Sequence, residues 1–114
     1  MKAIFINADK ETVEDITINF AGQCGLDEFY AKIGNGCRMV QAVYLTDTEV
    51  LVVDEEALLR DIKIGFIMKG SHFLGNGIIV GAGVEDWDDT ALLAAQIRKK
   101  VEFFTVQEED EDDA

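Results

Sequence analysis

Residues 37–53 read CRMVQAVYLTDTEVLVV. Two β-rich runs, 37–45 and 49–53, flank Thr46-Asp47-Thr48. Three polar residues between two such runs are a hairpin signal. Val50 to Val53 is apolar without alternation, the mark of a central strand covered on both faces.

Working toward the N-terminus, LDEFYAKIG reads as a short helix. Leu26, Phe29, Tyr30 and Ile33 fall on one side at spacings of three and four. Gly34-Asn35-Gly36 supplies its positive-φ exit. Before it, KAIFINA (2–8) reads as a strand. VEDITINF (13–20) alternates, with Ile16, Ile18 and Phe20 on one face and Asp15, Thr17 and Asn19 on the other. The two runs are expected to pair across Asp9 and Lys10.

Working toward the C-terminus, Asp54 is expected to cap a short helix reaching Leu59 or Asp61, with Leu58, Leu59 and Ile62 toward the core. Residues 64–68, IGFIM, are β-capable and too short to assign. Lys69-Gly70-Ser71 is a turn, and Ile78-Ile79-Val80 a strand. Leu93, Ile97, Val101 and Phe104 recur at steps of four, four and three. They predict a C-terminal helix capped by Asp88 or Asp89. The expected fold class is therefore α+β: a small mixed or antiparallel sheet of about five strands, packed against a C-terminal helix and one or two short helices. Residues 1–105 form the single domain. Residues 106–114, with six consecutive acids at 108–113, form a disordered acidic tail.

The 114 residues hold 10 Lys and Arg against 23 Asp and Glu, a formal net charge of -13. That charge opposes grip on a phosphate backbone and on anionic membranes. No apolar run is long enough to span a membrane, and no signal-peptide pattern opens the chain. A cytoplasmic location is expected. Cys24 and Cys37 form no CxxC pair and are expected as free thiols. With proline absent, glycine provides most of the turn punctuation.

The order DEFYAKIGNGCRMVQAVYL, then VLVVDEEALL, then GNGIIVG resembles a small family of domains of unknown function, numbered 3846. Residues 26–81 carry the resemblance. RDIKIGF, after Leu59, stands where the family has a Leu-Pro-x-Asn type segment. The resemblance implies a compact α+β domain and a phage or mobile-element setting. It implies no activity.

No catalytic residue, metal ligand set or cofactor is assigned. His72 is the one histidine, and KGSHFLGNG lacks the GxxxxGK[ST] phosphate loop. Two acidic groups are the candidate interaction residues: Asp54, Glu55 and Glu56, and Glu85, Asp86, Trp87, Asp88 and Asp89. An aromatic in an acidic rim suits a basic partner, while Trp87 also suits an anchor for the last helix. The expected function is a non-enzymatic acidic interaction protein that binds a basic host protein or occupies a nucleic-acid-binding site, in the extreme as a DNA mimic. The alternative is a small-ligand or nucleotide-binding domain, and behind it an enzyme with a dispersed carboxylate or cysteine site. The expected partner is a basic protein, with no direct nucleic acid and no membrane. Exposed strand edges leave a homodimer open.

Overall fold

A computed structural model describes residues 1–18, 26–83 and 87–106. Chain order is β1 (Lys2–Asn7), β2 (Thr12–Thr17), α1 (Leu26–Ile33), β3 (Val40–Tyr44), β4 (Glu49–Asp54), a 3-10 turn (Leu58–Arg60), β5 (Ile64–Met68), β6 (Ser71–Leu74), β7 (Gly77–Ala82), β8 (Trp87–Asp88), α2 (Ala94–Arg98) and β9 (Glu102–Thr105). The strands build two antiparallel sheets. The larger runs β2-β1-β7-β4-β3, with β8 also on β7. The smaller runs β6-β5-β9.

Alternation along the strands sorts the core into two layers, because successive side chains point to opposite faces. Ala3, Phe5, Val50, Val52, Ile78 and Val80 meet Phe29 and Ile33 of α1 on one face of the large sheet. Ile4, Ile6, Leu51, Val53 and Ile79 meet Phe66 and Met68 of β5, and Ala94 and Ile97 of α2, on the other. β4 is buried along its whole length, as its unbroken apolar run requires. Gly77 admits the second sheet: a Cβ there would stand 2.8 Å from Phe66 Cζ and 3.1 Å from Leu51 Cδ1. Buried Asn76 joins the layers. Its Oδ1 accepts the Ala8 N–H at 2.7 Å, and its Nδ2 donates to the Ile33 carbonyl at 3.0 Å.

Both expected hairpins are present, β1–β2 and β3–β4. Lys69 and Gly70, at φ of 54° and 78°, close a third between β5 and β6. Two consecutive positive-φ residues suit the right-handed twist of a two-residue hairpin. Helix α1 ends where expected, with Gly34, Asn35 and Gly36 all at positive φ.

The α+β class is overturned. Of the described residues, 46% are strand and 17% helical, so the chain is mostly β. The expected C-terminal helix shrinks to the five residues of α2, with Leu93 exposed at its N-cap. The helical spacing of Leu93, Ile97, Val101 and Phe104 is interrupted after Arg98. Glu102–Thr105 instead adds to β5, placing Phe103 opposite Phe66, and Val101 and Phe103 pack inward at a period of two. Aromatic and β-branched residues favour that pleated setting over a helix end. Neither Asp88 nor Asp89 caps α2: Asp88 lies in β8, and Asp15 accepts the first N–H of α2 at 2.9 Å.

The short helix after Asp54 is a single 3-10 turn, and Leu58 and Leu59 are 78% and 81% exposed rather than core. Phe20, Asn19 and Cys24, like residues 107–114 of the expected tail, lie outside the described residues.

Candidate functional site

The described members of the two acidic groups read from the sequence sit at opposite ends of the large sheet. Asp88 pairs with Gly81, and Gly81 pairs with Glu49 at the start of β4. Asp54 ends the same strand. Five residues at about 3.4 Å each separate the two ends by roughly 17 Å. They form no single surface. Glu85 and Asp86 lie outside the described residues.

The carboxylates of Asp54, Glu56, Asp88 and Asp89 hold the fold. The Asp54 side chain is fully covered; its Oδ2 pairs with the Arg60 guanidinium, and its Oδ1 accepts the Glu56 N–H at 2.9 Å. Glu56 Oε1 lies 3.5 Å from Arg60 Nη1, and Arg60 Nε donates to the Asn35 carbonyl at 3.0 Å. One arginine thus ties the exit of α1 to the exit of β4. Glu55 keeps an exposed side chain while its N–H donates to the Met39 carbonyl at 2.9 Å.

At the other end, Trp87 is half-buried, its ring 5.0 Å from Phe29 at a 58° tilt. It anchors α1 rather than the start of α2. Asp88 Oδ1 accepts the Asp89 N–H, and Asp89 Oδ1 accepts the Lys2 N–H, each at 2.8 Å.

Sequence reasoning found the N-terminal hairpin but missed Glu49 and the hairpin's own acids, Asp15 among them, as candidate site residues. Glu49 is 4% exposed; its Oε1 accepts from the Thr90 hydroxyl at 2.5 Å and its Oε2 from the Ala91 N–H at 3.1 Å. The available signal was its place at the head of a run buried on both faces. Asp9, Glu11, Glu14 and Asp15 are all exposed around the β1–β2 turn and along β2, the outer strand of the sheet. Val13 turns Asp15 toward α2, and Ile16 turns Glu14 toward the opposite face. Lys10 is exposed in the turn, and Arg98 Nη2 donates to the Val13 carbonyl at 2.7 Å.

The thiol and the imidazole lie in different layers. Cys37 is buried beneath α1, with Sγ donating to the Met39 carbonyl at 3.6 Å. His72 is exposed on β6, its ring 5.3 Å from that of Phe104. Burial pushes the Cys37 thiol above the usual range; the Met39 main chain and the Arg60 charge pull it down, and Glu56 adds to the rise. A raised thiol stays protonated in the fold while the unfolded chain ionises. Its contribution to stability is full below the ordinary thiol range, near pH 8.5, and is lost as pH climbs through the folded value. Alkylation of Cys37 in the native protein should run at least about tenfold slower than in the denatured chain at the same pH. Peptide mass spectrometry reads this, and equal rates would mean an open thiol.

Three clefts along the described residues are shallow. One of about 180 Å³ lies among Gln41, Asp54, Leu58 and His72; one of about 300 Å³ lies beside α1, and one of about 270 Å³ beside Lys69, Lys99 and Lys100. Drug-sized ligands occupy roughly 300 to 1,000 Å³ of enclosed space. Among the described residues, no three His, Cys, Asp or Glu side chains group to hold a metal ion, and no helix is long and apolar enough to cross a membrane. No family model, curated protein or solved structure matches the chain.

Proposed function

We propose that this chain is a non-enzymatic interaction protein that meets a basic protein partner through the acidic β1–β2 hairpin. The observation that carries this reading is the outer strand of the large sheet and its turn, which hold Asp9, Glu11, Glu14 and Asp15 exposed. Charges on an edge strand oppose strand addition by another chain, so recognition there runs through side chains. The net charge of -13 steers a cationic surface toward the protein and makes the encounter sensitive to salt. Trp87 and the Asp54–Glu56 group serve the fold in this reading. The resemblance carried by residues 26–81 supports seeking the partner in a bacterial host. Occupation of a nucleic-acid-binding site is the special case.

The test compares two neutralised variants. Asp9→Asn/Glu11→Gln/Glu14→Gln removes the hairpin charge and leaves Asp15 to cap α2. Asp27→Asn/Glu28→Gln/Glu55→Gln removes equal charge elsewhere. Salt-sensitive capture of a defined host protein should fall about tenfold or more with the first and little with the second. Equal effects would reduce the interaction to bulk charge and overturn the hairpin assignment. Displacement of labelled DNA from the captured protein tests the special case.

A further inference from the structure

The other outer strand of the large sheet, β3, has the opposite character. β4 covers one side of it, and among the described residues no strand covers the second side. Two bonds fix which main-chain groups face that opening. Leu45 N–H donates to the Glu49 carbonyl at 2.8 Å, and Glu55 N–H donates to the Met39 carbonyl at 2.9 Å. In an antiparallel ladder the direction of these groups alternates from residue to residue. Residues 39, 41, 43 and 45 therefore turn toward β4, and Val40, Ala42 and Tyr44 turn N–H and C=O outward.

We propose that this edge joins two copies of the chain, β3 against β3, in antiparallel register about a two-fold axis at Ala42. Val40 then lies opposite the partner's Tyr44, Ala42 opposite the partner's Ala42, and Tyr44 opposite the partner's Val40. All three outward residues of each strand exchange main-chain hydrogen bonds in this register. A shift of two residues leaves one of them with no opposite residue inside the strand. The contact is isologous and closed, as a two-fold dimer requires. It joins two six-stranded sheets into one of twelve, with a continuous path of ten strands.

A second copy is the occupant because of charge. Two molecules of net charge -13 repel wherever acids meet. β2 offers Glu14 and Asp15 at its edge, and β9 opens on Glu102. β3 reads VQAVY, without a charge. Arg38 precedes it and Asp47 follows it, both exposed. Antiparallel pairing brings Arg38 of each copy to the 46–48 turn of the other, where Asp47 waits. Tyr44 is 66% exposed and gains the partner's Val40 as an aromatic–β-branched neighbour. Exposed Leu58 lines the same cleft as Gln41, extending the apolar margin of this edge. The inference is independent of the hairpin reading. β2 lies at the far end of each sheet, so a dimer carries two acidic hairpins apart from one another.

Sedimentation equilibrium of the full chain, across the micromolar to sub-millimolar range, should give twice the 12.6 kDa chain mass. Tyr44→Asp places a carboxylate in the contact and should weaken the dimer about tenfold or more, with an unchanged circular dichroism spectrum. Ala42→Cys gives a second, independent reading. Paired residues that exchange hydrogen bonds lie about 5.5 Å apart at Cα, within disulfide reach. Oxidation should cross-link Ala42→Cys into a covalent dimer well above the parent chain, and Gln41→Cys should not. A monomer throughout the range would overturn the proposal. So would a dimer that survives Tyr44→Asp while Ala42→Cys cross-links no better than Gln41→Cys.

Discussion

Phe66→Ala is expected to cost about 3 to 5 kcal/mol. Phe66 is 0% exposed and stands where the small sheet meets the large one. Its ring lies 5.3 Å from Phe73, and it fills the space that Gly77 leaves free. Truncation removes the transfer energy of the ring and leaves a void that strands pinned on both sides cannot close. A domain of this size should lose roughly 15 to 30 °C in Tm. Amide exchange should accelerate first in β5, β6 and β9, because their docking is what fails. A loss below about 1.5 kcal/mol, within the range of volume-conserving swaps, would mean that Phe66 does not join the two sheets.

Glu49→Ala is expected to cost about 2 to 4 kcal/mol. One carboxylate receives both the Thr90 hydroxyl and the Ala91 N–H. Hydrogen bonds to a charged acceptor contribute more than neutral ones, and removing the acceptor leaves buried Thr90 without it. The damage should begin locally, where the chain after β8 is clamped to the head of β4. Trp87 is the chain's one tryptophan, and its emission should shift to the red as residues 87–91 loosen. Glu49→Gln keeps an acceptor for one partner and should cost about 1 kcal/mol. Glu55→Ala, on the exposed side chain next to Asp54, should stay within about 0.5 kcal/mol. If Glu49→Ala matched Glu55→Ala in both Tm and emission, the clamp would have no energetic meaning.

These two residues mark what the sequence made legible and what it hid. Local alternation and turn chemistry exposed both early hairpins, α1 with its glycine exit, and the burial of Val50–Val53. Phe66 was visible only as part of an ambiguous five-residue run, because no local signal reports a second sheet. The C-terminal segment misled for a physical reason. Leu93, Ile97, Val101 and Phe104 match a helical stripe, yet Val101 and Phe103 also match a strand face. Pairing with β5, a long-range contact, chose between them. The acidic residues hid their roles more thoroughly. A carboxylate that folds inward onto Arg60 and one that faces solvent have the same letter. Asp54 and Asp89 hold main-chain or guanidinium groups, whereas Glu14 is exposed on the outer strand of the sheet. Charge count gives the field around the molecule; only topology tells which acids stay exposed.

β7 lies between β1 and β4, although it follows both in the chain. During vectorial synthesis the two flanking hairpins emerge first and hold a vacant slot between them. Its walls are the unsatisfied rims of two strongly apolar strands, open until residues 77–82 leave the ribosome. Closure joins partners some seventy residues apart for β1, a topology that folds slowly compared with local hairpins. A nascent chain stalled before that insertion exposes two sticky edges at once, which makes it a target for chaperones or for aggregation.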